Sequence, residues 1–177
     1  MPTVNALLAR ARVQLADTET PSLDARLLLQ HVTGLNHADV IAEPDRLIDH
    51  EVANRFEGLV ARRAAYEPVA RILGSREFYG RNFKVTPDVL DPRADTETIV
   101  DVCLKLMPKD RDCRILDLGT GSGILAVTLL AERKRASGQA VDVSPAALAV
   151  ARENAETLGV DDRLTFIESH WFFNVEG

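Results

Sequence analysis

Cysteine is scarce in this sequence, basic charge is in deficit, and no apolar run is long. Only Cys103 and Cys113 occur, with no C-x-x-C spacing and no histidine pair beside them. That argues against a disulfide framework and against a thiolate zinc site, and it suits a reducing cytosol. Lys and Arg number 21 against 27 Asp and Glu, a formal charge of −6. Binding to a nucleic-acid backbone relies on clustered cations, so no direct nucleic-acid partner is expected. The one dense basic stretch, "ERKRASG" at 132–138, reads as a solvated helix end whose cations complement the dipole. Arginines interrupt the apolar pattern of the first residues, no signal-peptide core follows, and no run approaches the length that crosses a bilayer. A soluble, cytoplasmic protein with no membrane partner is expected. His31, His37 and His50 have no motif around them and read as surface or helix-face residues, so no metal site is assigned.

What is present is apolar material enough for a core, 46% of 177 residues, in one medium domain or a small domain and part of another. Residues 1–66 read as a helical bundle. Val4, Leu7, Leu8, Ala11 and Leu15 mark one amphipathic helix. Ser22 can cap a second with Leu23, Leu27, Leu28 and His31 on one face and Gly34 as its stop. Asn36 can cap a third that ends before Pro44, and Val52, Phe56, Leu59, Val60 and Arg63 suggest a fourth. Near Pro68 the period changes. "VARILG" and "REFYGRNFKV" are short, β-rich and broken by glycine, which predicts a hairpin turning near Tyr79–Asn82 within a linker at 67–93. Pro87 and Pro92 fix an extended loop, and Asp95 or Thr96 can cap a helix carrying Ile99, Val100, Cys103, Leu104 and Met107.

From there the pattern is strand, turn, helix. "CRILDL", "GQAVDV" and "RLTFIE" predict three strands, joined by "GILAVTLLAER" and by "SPAALAVARENAETLG". In the latter Ser144 is the cap, Pro145 the first helical residue and Gly159 the stop. Repeated βα units imply an α/β fold with a parallel sheet that binds ligands at the carboxyl ends of its strands. Residues 94–177 are therefore expected to form the first part of a Rossmann-like domain.

The turn after "CRILDL" is the most informative stretch. Asp117 ends the strand, and Gly119, Thr120, Gly121, Ser122 and Gly123 follow it. Glycine permits positive φ and close approach of the backbone to a ligand, and the helix that follows directs free N–H groups toward it. The dinucleotide fingerprint G-x-G-x-x-G would need glycine at 124, where Ile124 stands. The spacing present suits S-adenosylmethionine, whose ammonium a strand-end carboxylate can attract while loop N–H groups meet its carboxylate. Asp142, at the end of the next strand, can accept both ribose hydroxyl protons, which either cofactor would want.

"EPVARILGSREFYGRNFKVTPDVLDPRADTETIVD" followed by "ILDLGTGSG" resembles the HemK/PrmC family of protein-glutamine methyltransferases, which modify peptide chain release factors. The resemblance runs along the whole chain and is most specific from Glu67 to Gly123. It implies a helical domain that docks the release factor, a hairpin linker and an S-adenosylmethionine-dependent methyltransferase domain. It further implies that Gly119 to Gly123, Asp142 and Trp171 contact the cofactor, Trp171 near the adenine, and that Arg93 and Glu97 lie by the active-site wall. A Trp after the third strand can also be a half-buried core aromatic beside Phe172 and Phe173. Likewise Arg93 and Glu97 can form an ordinary loop-to-helix ion pair.

Three departures from the family pattern stand out. Ala94 replaces its usual proline, and "SHWF" replaces its usual "SDWF", so that His170 stands where a carboxylate would accept from the adenine amino group. The family's Asn-Pro-Pro-Tyr motif, which would hold the glutamine amide in line with the methyl carbon, is absent between Met1 and Gly177. No catalytic residue is therefore assigned, and a fragment of a longer protein is expected. A parallel sheet of three strands would leave "RILDLG" as an apolar open edge. The competing readings are an NAD-dependent oxidoreductase, disfavoured by Ile124, a DNA amino-methyltransferase, disfavoured by the acidic balance, and a non-catalytic protein-binding module.

Overall fold

The structure, a computed structural model, describes residues 1–91, 93 and 95–175. The parts assigned to Pro92 and Ala94 fall outside the described residues. The chain divides into two compact units, Met1–Leu73 and Gly74–Gly177.

In the first unit, α1 (Val4–Gln14) starts at Thr3, whose hydroxyl accepts from the Ala6 N–H. Its Val4, Leu7, Leu8 and Ala11 point inward at helical spacing. Helix α2 (Pro21–Thr33) begins two residues earlier than Ser22 as cap would dictate, with Thr20 at the cap, Pro21 at the first position and Gly34 left-handed at its end. Its buried face is also rotated from the expected one. Asp24, Ala25, Leu28 and Leu29 are inside while Leu23 is exposed. The cause is long-range: Asp24 accepts from the Thr20 hydroxyl and from Arg63, 39 residues away, so a carboxylate occupies the core side with its charge paired. Helix α3 (His37–Ala42) carries a full capping box between Asn36 and Asp39, and α4 (His50–Ala64) is capped by Asp49. "VARIL" is not a strand. Val69–Leu73 forms a short helix α5, whose first turn closes on the Pro68 carbonyl and whose Ala70 and Ile72 are buried. Short apolar runs do not distinguish strand from helix by period, and burial against the bundle decides here.

The second unit opens with a hairpin, β1 (Ser75–Phe78) and β2 (Arg81–Lys84), paired antiparallel. Tyr79 and Gly80 form the turn, both with positive φ, as a two-residue type I′ turn requires. Phe78 and Phe83 face the same core with near-perpendicular rings 6.2 Å apart. Helix α6 (Thr96–Leu106) has Asp95 at its cap position without a side-chain cap bond, and buries Val100. Then β3 (Cys113–Leu118), α7 (Ile124–Glu132), β4 (Ala136–Asp142), α8 (Pro145–Thr157), a 3-10 turn (Asp161–Arg163) and β5 (Leu164–Glu168) alternate as expected. The strands form a parallel sheet ordered β3-β4-β5.

Two local details differ from the sequence reading. Strand β4 begins at Ala136, inside the stretch read as a helix end. Gly138 lies over Ile115, where a Cβ would come within 2.5 Å of Ile115 Cγ1, so the glycine marks close approach within a strand. The basic stretch is likewise not all solvated, since half-buried Arg133 donates to the Leu104 carbonyl at 2.6 Å, while Arg135 stays exposed in its pair with Asp112.

Candidate functional site

Strand β3 delivers Asp117 to the carboxyl edge of the sheet, and the glycine loop turns there into α7. Gly119, Gly121 and Gly123 all have positive φ, from 54° to 78°. The loop is held by its neighbour strand: the N–H groups of Gly119 and Thr120 both donate to the Val141 carbonyl, at 2.8 and 2.9 Å. Gly123 closes the loop by donating to the Thr120 carbonyl and is the cap residue of α7. A Cβ on Gly123 would meet that of Ala151 at 3.0 Å, so α8 approaches the loop as closely as glycine allows.

Two carboxylates meet this loop. Asp142, at the end of β4, accepts from the Gly121 N–H at 2.9 Å through Oδ2 and from the Ser144 N–H at 3.0 Å through Oδ1. Each oxygen retains a further lone-pair direction, which can take a hydroxyl. Asp117 accepts from the Thr120 hydroxyl at 2.8 Å. Burial pushes the Asp117 carboxyl above its ordinary range; the Thr120 hydroxyl and the Ala126 N–H oppose that, and the charge of Asp142 adds to it. Two acids with no basic side chain in an ion pair to either, among the described residues, form a place where a cation would be stabilised.

The third strand brings the aromatic segment to the same edge. The Ser169 N–H donates to the Asp142 carbonyl at 3.0 Å, and the Ser169 hydroxyl accepts from the Asn174 N–H. Between them, Trp171 is 62% exposed with φ of 57°, an unusual conformation for a bulky residue, and packs edge-on against His170. Phe172 and Phe173 are also exposed, so Trp171 is not a core aromatic beside them. The sheet thus gathers Asp117, Gly119, Thr120, Gly121, Ser122, Gly123 and Asp142, with Trp171 on the adjoining turn. Glu97 does not pair with Arg93 among the described residues; its carboxylate accepts from the Tyr79 N–H at 2.9 Å, at the hairpin turn.

Asn154 escapes a reading of sequence alone. It is 2% exposed, and its amide bonds Ser122 of the loop and Lys84 of the hairpin. The one signal is its place three residues after Ala151, on the small-residue face of α8.

A groove of about 320 Å³ lies along the outer edge of β3, lined by Ile99, Cys103, Leu106, Leu116, Leu125 and others. It touches the site only at Asp117. Leu116 is exposed, so β3 is an apolar edge strand among the described residues, as three strands in this order require.

Comparison with known proteins finds two domain families along the chain, the PrmC N-terminal domain at residues 6–74 and the methyltransferase small domain at residues 93–176. A release factor glutamine methyltransferase of Nitratidesulfovibrio vulgaris is 43% identical over 90% of this chain and 54% of its own length. That of Cereibacter sphaeroides is 47% identical over 91% of this chain and 56% of its own, and that of Agrobacterium fabrum is 41% identical over 99% and 63%. The chain thus spans little more than half the length of the curated relatives it matches. Among solved structures, an RNA methyltransferase from Salinibacter ruber in complex with S-adenosyl-L-homocysteine is 29% identical, with 48% of this chain and 52% of that one covered and a TM-score of 0.39. A methyltransferase from Geobacter sulfurreducens, also with S-adenosyl-L-homocysteine, is 36% identical over 44% and 29%, with a TM-score of 0.37.

Proposed function

We propose that this chain, which belongs to the release factor glutamine methyltransferase family, holds S-adenosylmethionine at the carboxyl edge of β3, β4 and β5. The observation that carries the reading is the pairing of a cation-seeking acid, Asp117, with a glycine loop latched to a second acid, Asp142. The cofactor fits this donor set. Asp117 would hold its ammonium, and Asp142 would accept from its ribose hydroxyls through the lone pairs left free. The N–H groups at the start of α7, other than that of Ala126, which serves Asp117, would be available to its carboxylate. Trp171 offers an aromatic face for the adenine. When bound, the cofactor supplies a methyl group on a sulfonium.

The whole protein transfers that methyl to the side-chain amide of a glutamine in a peptide chain release factor, in the cytoplasm. In this division of labour the residues at the sheet edge bind and orient the donor. The unit Met1–Leu73 recognises the release factor, and the amide is positioned by the Asn-Pro-Pro-Tyr motif of the family, which residues 1–177 do not contain.

Calorimetric titration of the chain with S-adenosylmethionine, and with NAD as the comparison, tests the assignment. Saturable uptake of the methyl donor alone is expected. Uptake of NAD instead would sink it.

A further inference from the structure

Asn154 lies on α8 with its side chain enclosed, and its amide oxygen and both amide N–H groups are hydrogen-bonded. Its Oδ1 accepts from the Lys84 N–H at 2.7 Å; its Nδ2 donates to the Lys84 carbonyl at 3.1 Å and to the Ser122 carbonyl at 2.8 Å. Only one orientation of the amide serves this set, because an N–H must meet the oxygen and two carbonyls must meet the nitrogen. The pattern toward Lys84 is that of a strand partner, so a side chain completes the end of β2. The third bond reaches the glycine loop, 32 residues away in sequence. One turn earlier on the same helix face, Ala151 touches Gly123. Two consecutive loop residues are thus set by α8, one through its carbonyl and one through its missing Cβ.

We propose that Asn154 is a positioning residue for the glycine loop, joining the loop to the hairpin so that the two hold their shape as one unit. The hairpin is then more than a connector. Its turn is tied to α6 through Glu97, and its far end is tied to the loop through Asn154. The link to cofactor affinity rests on the S-adenosylmethionine reading; the positioning itself does not.

Replacing the amide removes the partner of the part-buried Lys84 N–H and carbonyl and of the buried Ser122 carbonyl at once, and the loop can recover the last only by moving toward water. Asp is no substitute, because its anion would face both carbonyls.

The test has two arms on the same chain. Amide hydrogen exchange without cofactor is compared for the wild type, Asn154→Leu and Val160→Ala, the last a core truncation matched for loss of stability. In Asn154→Leu, the amides of Lys84, Gly121 and Gly123 should lose protection by about tenfold or more beyond the global change, while Val160→Ala should lose only the global part. Titration with S-adenosylmethionine should show affinity lowered about tenfold or more by Asn154→Leu and little by Val160→Ala. Glu153→Gln, which removes the exposed ion pair to Lys84 but not its backbone bonds, should match the wild type in both arms. If Asn154→Leu does not fold, Asn154→Ser, whose hydroxyl is too short to reach both partners, is read in its place. Equal loop protection in the Asn154 and Val160 variants would overturn the proposal. A wild-type chain that takes up no S-adenosylmethionine would overturn the cofactor reading instead, and the exchange arm would still decide the positioning.

Discussion

The two ends of the three-stranded sheet solve opposite problems with opposite charges. At the amino edge, Arg163 donates to the carbonyls of Arg133, Ala136 and Leu130 at 3.0, 2.8 and 3.1 Å. A guanidinium there closes the end of α7 and the start of β4, with three of its N–H groups bonded inside the fold. At the carboxyl edge, Asp117 and Asp142 accept from the loop and from Ser144, yet each keeps acceptor capacity and neither meets a cation among the described residues. One end is internally satisfied and the other is left open for a ligand. A parallel sheet has this polarity because every strand runs the same way and every loop into a helix falls at one end.

The comparison breaks most visibly at Asp142. Asp142→Ala removes the latch on Gly121 and the acceptor for the ribose, and should weaken S-adenosylmethionine binding about 100-fold in calorimetric titration. A loss of only a few-fold would mean that the ribose lies elsewhere. At the other edge, Arg163→Met removes three hydrogen bonds to carbonyls, of which that of Arg133 keeps one from the Ala136 N–H, and should cost about 2–3 kcal/mol in urea unfolding while leaving cofactor affinity unchanged. Affinity that fell along with stability would join the two ends and defeat the contrast.

The pH response of Asp117 sharpens it further. Its folded carboxyl is raised above the ordinary aspartate value, so the folded chain holds a proton there more tightly than the unfolded one. Without ligand, this group makes the fold more stable at low pH. That gain is lost as pH rises from the unfolded value through the folded one. Binding an ammonium runs the other way, since it needs the carboxylate. Affinity for S-adenosylmethionine should therefore fall as pH drops through the raised value, by up to about tenfold per unit, and Asp117→Asn should flatten the profile. A profile that keeps the same slope in the variant would assign the response to another group.

Much of this arrangement is legible from residues alone because the signals are local. The alternating glycines, the strand-end acids, the Ser144–Pro145 helix start and the Gly159 stop are all read within a few positions of themselves. What escapes is set by partners distant in sequence. The buried face of α2 turns toward Asp24 only because Arg63 is there to pair with it. Asn154 sits in "ARENAET", which looks like an exposed helix face until Lys84 and Ser122 are placed beside it. Val69–Leu73 has strand-forming residues but too few of them to impose a period, and tertiary burial makes it helical. The early start of β4 is hidden because Ala136 to Gly138 carry no β preference, and Gly138 is demanded by Ile115 across the sheet.

Backbone amide mapping by NMR during titration with S-adenosyl-L-homocysteine, a sulfonium-free analogue, tests the central contrast most directly. The account predicts that shifts concentrate on Gly119, Gly121, Gly123, Asp142 and the Trp171 indole, while Arg163 and Ala136 stay fixed. Shifts at the amino edge, or along the β3 groove with the glycine loop silent, would contradict it.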